Sequence, residues 1–200
     1  MDPNDDQVVE ETERSTSPTS HSMASVHANE AARASPFRKF RSLLIAKRYE
    51  GHDDLPIQVI PGLYIGSFGA ANHLQGLQDA GITHILCVTP TLPFVFPEQF
   101  QYRRVSVGDT PDVAIDTFFP SSIAFIDSAL AAGGRVLVHC QVGRSRSATI
   151  VLAYLIQRHH QSFQDALALV RAVRPQIQPN QGFLRQLRRW AAQLTSTASD

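Results

Sequence analysis

Cysteine is the scarcest chemically reactive residue in this chain: 200 residues hold two, Cys87 and Cys140, and no C-x-x-C pair. That count excludes a disulfide framework, and without histidines at zinc-finger spacing it gives no support to a structural metal site. A reducing compartment fits such usage. Long apolar runs are also missing. Ile150 to Ile156 is among the longest, far below the roughly 20 residues that a membrane-spanning helix needs. The reading is therefore a soluble protein without a transmembrane segment. Net charge is absent as well, with 18 Lys+Arg against 18 Asp+Glu, so nothing marks a nucleic-acid groove.

The charge is nevertheless unevenly placed. Of the 18 residues of each sign, 7 basic and 10 acidic ones precede residue 55, leaving 11 basic and 8 acidic for the remainder. A mildly basic remainder suits an anionic ligand. With 43% hydrophobic residues, the chain can bury one sizeable core, which predicts one domain with tails. Residues 1–35 are Ser, Thr, Ala and acid with scarcely a large apolar side chain. Such a segment cannot offset its ordering entropy by burial and reads as a disordered tail. Residues 36–54 form a basic amphipathic segment: Phe37, Phe40, Leu43 and Leu44 interleave with Arg38, Lys39, Arg41, Lys47 and Arg48 at helical spacing. The domain is expected over 55–195, with a polar tail at 196–200.

Within it, "IQVIPGLYIGS" predicts two short strands around the Pro61-Gly62 turn, and "GAANHLQGLQDAG" a helix stopped at Gly81. "ITHILCV" is a buried strand, followed by a proline-punctuated loop and a further strand "YRRVSV". Asp116 is expected to cap a helix through "TFFPSSIAFIDSALAAGG". The strand "RVLVH" and the nearly all-apolar helix "SATIVLAYLIQRHH" come next. Ser162 with Asp165 then makes a capping-box signature, Pro175 ends that helix, and Asn180 caps the last one, through Leu194. Strands alternating with helices predict an α/β three-layer sandwich. Its central sheet is mostly parallel, flanked by helices, and its ligand site lies beyond the strands' carboxyl ends.

One such end carries the chemistry. In "VLVHCQVGRSRSAT", residues 136–149, a strand runs into a glycine-bearing loop and then a helix. A helix N-terminus offers unpaired N–H groups and partial positive charge, and a glycine loop curls further amides into an anion nest. Gly143 permits the tight path, and Arg146 can bind two phosphate oxygens through its planar fork. The same field favours the thiolate of Cys140, placing a soft nucleophile under a bound phosphate. The plain alternative is a buried core cysteine beside surface arginines. The C-x2-G-x2-R spacing between a strand and a helix argues against it.

"VHCQVGRSRSAT" resembles the H-C-x5-R-[ST] signature of cysteine-dependent phosphatases, and specifically the dual-specificity protein phosphatases. "IPGLYIGS", "AGITHILCV", "YRRVSVGDT", "FIDSAL", "VLVHC" and "RPQIQPNQGFLRQL" follow in that family's order over about residues 57–190. The resemblance implies hydrolysis of phosphotyrosine and phosphoserine/phosphothreonine through a phosphocysteine intermediate, with no cofactor and no metal. It implies Cys140 as nucleophile, Arg146 as transition-state clamp and Asp109 as general acid. Ser147 would support thiolate departure, and His139 would orient the loop and tune the thiol. The phosphate would lie on Gln141, Val142, Gly143, Arg144, Ser145 and Arg146. Val142 stands where the family more often has a small residue.

Several residues have competing readings. Asp109 shares parity with Val105 and Val107, continuing an inward face; Asp112 is the alternative acid. Arg144 either points to solvent or gives a second contact to an acidic substrate. "GRSRSAT" also resembles the loop of mitochondrial phosphatases acting on phosphatidylglycerophosphate. A phospholipid phosphatase, including an inositide phosphatase, is therefore the alternative function, although a loop without lysine favours protein substrates. A phosphate-binding scaffold is a second rival, for which a thiolate has no use. Cys87 is either a buried small hydrophobe or a disulfide partner for Cys140 under oxidation. His159 and His160 end a helix and carry no assigned chemistry. "RKFRSLLI" resembles a kinase docking motif, making a mitogen-activated protein kinase a candidate partner beside phosphoprotein substrates, while Ser17-Pro18 and Ser35-Pro36 resemble proline-directed sites. Acidic residues Asp2 to Glu13 argue against a transit peptide, so cytoplasm and nucleus are the expected locations. A start at Met23 would expose an Arg- and Ala-rich leader and make mitochondria the outsider.

Overall fold

A computed structural model describes residues 55–197. The readings of 1–35 and 36–54, with their serine-proline pairs and docking motif, lie outside the described residues. Ile57–Ile60 (β1) and Leu63–Gly66 (β2) form a hairpin whose turn uses Gly62 at φ 83°. The predicted first helix is two: Phe68–Asn72 (α1), capped by the Ser67 hydroxyl accepting from Ala70 N, and Leu74–Asp79 (α2). They part at His73, whose ψ of 88° lies outside the helical region. His84–Cys87 (β3) and Gln101–Arg104 (β4) follow, then a 3-10 turn at Ile115–Phe118, Phe119–Ala131 (α3), Val136–His139 (β5), Arg146–Arg158 (α4), Phe163–Val173 (α5) and Gln181–Thr197 (α6). The last helix thus continues past Leu194.

The five strands lie in the order β1-β2-β5-β3-β4, with β1 antiparallel to β2 and every other pair parallel. β5 is therefore central, and all four of its residues are buried, as parallel strands covered on both faces must be. One face carries α3 to α6 over Val136, Val138, Leu86 and the apolar length of α4. The other carries α1 and α2 over Leu137, Ile85 and Tyr64. This is the three-layer sandwich expected, and it sets the loop after β5 at the carboxyl ends of the parallel strands.

Two local expectations need correction. Asp116 is not a helix cap: it lies inside the 3-10 turn, α3 has no side-chain cap, and the Asp116 carboxylate pairs with Arg189 at 3.1 Å. A charged partner 73 residues on outcompeted the local backbone amides. The strand "YRRVSV" is also shorter than read. It ends at Arg104, and Val107 N donating to Val105 O at 3.0 Å breaks the two-residue alternation before Asp109. Ser162 does cap α5, its hydroxyl accepting from Asp165 N at 3.1 Å. Asn180 caps α6, its Oδ1 accepting from Phe183 N at 3.0 Å.

Candidate active site

The strand β5 delivers Cys140 to the end of the sheet, 2% exposed. Its sulfur receives the Gly143 amide at 3.3 Å and lies 3.2 Å from the Ser147 hydroxyl. Gly143 sits at φ 73°, and a Cβ there would come within 2.6 Å of Gly66 O, so both conformation and space demand glycine. The loop then enters α4, whose first residues Arg146 and Ser147 are buried.

The carbonyls show how the surrounding chain holds the loop. Cys140 O faces His139 Nδ1 at 3.2 Å, which makes that nitrogen the protonated one, since a carbonyl only accepts. Gln141 O accepts from Phe68 N at 3.1 Å and Arg144 O from Gln178 N at 2.8 Å. Val142 O and Gly143 O accept from Arg174, at 3.0 Å from Nη2 and 2.7 Å from Nε. Ser145 O accepts from Thr149 N and Thr149 Oγ1, at 2.9 and 2.8 Å. Six consecutive carbonyls are engaged by the surrounding chain. A loop whose oxygens are so occupied leaves its N–H groups for an anion.

Asp109 reaches this loop without strand geometry. Ser145 Oγ and Asn180 Nδ2 donate to its Oδ1 at 2.6 and 3.0 Å, and Arg146 Nε stands 3.5 Å from Oδ2. At that distance the arginine acts as a charge rather than a hydrogen-bond donor. Arg146 Nη1 is 3.4 Å from Val107 O. Asp112 is exposed, and a hydrogen bond from Thr110 holds its carboxyl below the ordinary value. Arg144 does not project freely: its Nε donates to Gln176 O at 3.0 Å and an Nη to Gln178 Oε1 at 2.8 Å. Val142 is half exposed beside the cradle.

His139 is fully enclosed. Burial first, then the charges of Arg104 and Arg146, press its pKa down to about 4 against the pull of Cys140 O, so the ring is neutral at physiological pH. Cys87, beside His139 in register, is buried with Phe68 and Leu92. Burial pushes its thiol up to about 11. Both cysteines are free.

The structure thus brings together Cys140, Ser147, Arg146, Asp109, Ser145 and Gly143. Arg174 was not foreseen, and Asn180 was foreseen only as a cap. The signal for Arg174 was an arginine against Pro175, at the helix stop and inside a segment already matched to the family. Among the described residues, no group of three or more His, Cys, Asp or Glu could hold a metal, and no helix is long and apolar enough to cross a membrane.

Comparison with known proteins agrees with this fold. The model of the dual specificity phosphatase catalytic domain matches residues 63–193. Dual specificity protein phosphatase 1 of Arabidopsis thaliana is 42% identical over 147 residues, 74% of each chain. Dual specificity protein phosphatase 2 of Mus musculus is 47% identical over 132 residues, 66% of this chain and 42% of that one. MAP kinase phosphatase with leucine-rich repeats protein 3 of Dictyostelium discoideum is 41% identical, covering 72% of this chain and 17% of that one. A mouse putative dual specificity phosphatase crystallised with zinc tungstate superposes with a TM-score of 0.70 at 34% identity, over 74% of this chain and 94% of that one. PTPMT1 in complex with PI(5)P shares the fold at a TM-score of 0.61, with 22% identity over 72% of this chain and 99% of that one. The protein relatives thus outweigh the lipid-bound one, leaving the phospholipid alternative less supported. A three-layer sandwich whose central strand leads into Cys140, matched by the family model over residues 63–193, places this chain among the dual-specificity protein phosphatases.

Proposed function

We propose that the enzyme works through a phosphocysteine intermediate, with Cys140 as nucleophile. The observation that carries this reading is the position of its sulfur, 3.3 Å from Gly143 N at the base of a loop whose carbonyls all accept from the surrounding chain. In the first step the Cys140 sulfur forms an S–P bond as the ester P–O bond breaks, and Asp109 gives its proton to the departing oxygen. The loop amides and Arg146 hold the charge that spreads over the equatorial oxygens. Asp109, now a carboxylate, then takes a proton from the water that attacks phosphorus, and the S–P bond breaks. The Ser147 hydroxyl, 3.2 Å away, supports the leaving sulfur. His139, neutral, holds the Cys140 carbonyl.

Parallel kinetics of four variants test these roles. Cys140→Ser abolishes turnover but keeps oxyanion affinity, and Arg146→Lys damages binding and rate together by losing the fork. Asp109→Asn is strongly defective on phosphothreonine and phosphotyrosine peptides and only weakly so on an activated aryl phosphate. The same dependence on the leaving group in Asp112→Asn instead would reassign the acid.

We further propose a mitogen-activated protein kinase as a substrate partner, acting in cytoplasm and nucleus. Support comes from "RKFRSLLI" and from the name of the Dictyostelium relative. Changing Leu43 and Ile45 to alanine should weaken binding of such a kinase at least tenfold; unchanged affinity removes the motif from consideration. Imaging of chains begun separately at Met1 and Met23 decides the location.

A further inference from the structure

We infer that Arg174 is a positioning residue for phosphate binding, gripping the loop from behind so that its amides face the anion. The inference rests on the oxyanion-loop reading above. Arg174 is 0% exposed, the largest of the fully buried side chains. Burying a guanidinium is costly unless its N–H groups find acceptors, and here two of them end on Val142 O and Gly143 O. These two carbonyls occupy the middle of the loop, where the chain reverses at Gly143. Two of the four carbonyls from Gln141 to Arg144 therefore depend on one side chain.

The fit leaves no slack. A Cβ on Gly143 would strike Arg174 Nη2 as well as Gly66 O, so the loop is clamped between β2 and the end of α5. A peptide unit whose carbonyl is fixed outward presents the N–H of the next residue on its opposite side, because the unit is planar and trans. Fixing Val142 O and Gly143 O therefore aims the amides of Gly143 and Arg144. The first already reaches the Cys140 sulfur. A lysine at 174 keeps the charge and loses the fork, so it cannot hold both carbonyls in the same geometry.

The test titrates tungstate into the full chain as Cys140→Ser and as Cys140→Ser with Arg174→Lys, which reports on the loop whether or not catalysis proceeds as proposed. Affinity should fall at least about tenfold, the factor equivalent to about 1.4 kcal/mol. In the Cys140-containing chain, Arg174→Lys should lower kcat/KM by the same factor for an activated aryl phosphate and a phosphothreonine peptide. The shape of the pH profile should stay unchanged. A folded Arg174→Lys protein with unaltered tungstate affinity overturns the inference, whatever its melting temperature. Should the variant not fold, the wild-type Arg174 Nε–H resonance decides: its exchange with solvent should slow when tungstate fills the loop, and an indifferent resonance overturns the inference equally.

Discussion

At the scale of single residues, His139 ties stability to acidity. Its ring is folded away neutral, with a pKa near 4 against an ordinary 6.5. The unfolded chain thus takes up its proton at higher pH than the folded one. Stability is whole above pH 6.5, declines as pH falls towards 4, and loses nothing more from this group below that. The full effect is about 3 kcal/mol at 1.36 kcal/mol per pH unit. His139→Asn keeps a donor for Cys140 O and should flatten that decline, so urea midpoints from pH 7 to 4.5 should converge for the two proteins. Parallel curves would show that the ring is solvated. Cys87 works in the opposite direction: raised to about 11, it is a thiol at neutral pH and offers no thiolate to a reagent.

Single elements separate function from stability. The loop between β5 and α4 needs Gly143, since alanine there meets both a positive φ, worth about 1–2 kcal/mol, and Gly66 O at 2.6 Å. Gly143→Ala should lower kcat/KM by more than tenfold. Ser162→Ala at the start of α5 removes one cap bond, about 1 kcal/mol, so it should lower Tm by about 2–4 °C and leave turnover intact. Calorimetry and initial rates on the two variants check both expectations, and a slow Ser162→Ala enzyme would contradict them. Elements were also where legibility varied. α4 and its loop could be read because motif, glycine and apolar helix are contiguous. The break at His73 and the early end of β4 could not, because only the dihedrals of His73 and the bond from Val107 to Val105 reveal them. Asp116 satisfied a local capping rule while its partner lay far down the chain. The donors from Phe68, Arg174 and Gln178 escaped for the same reason: long-range contacts leave no periodicity to read.

For the molecule as a whole, oxyanion binding should couple to folding. Tungstate at about 100 times its dissociation constant adds roughly 2.7 kcal/mol to the folded state, so melting should rise with its concentration. The same occupancy should shield Cys140 from iodoacetamide. Mass spectrometry of the alkylated protein should find label on Cys140 alone without tungstate and on neither cysteine with it. Label on Cys87 would mean that the sheet opens at neutral pH. The outward-held carbonyls have a consequence for transcripts as well. Arg174 and Gln178 follow the signature by about thirty residues and Phe68 precedes it by about seventy. A message spliced or terminated before codon 174 would still encode Asp109, Cys140 and Arg146, and any motif search would count its product as an enzyme. Its loop would lack the grip on three successive carbonyls, and the product should bind neither phosphate nor tungstate.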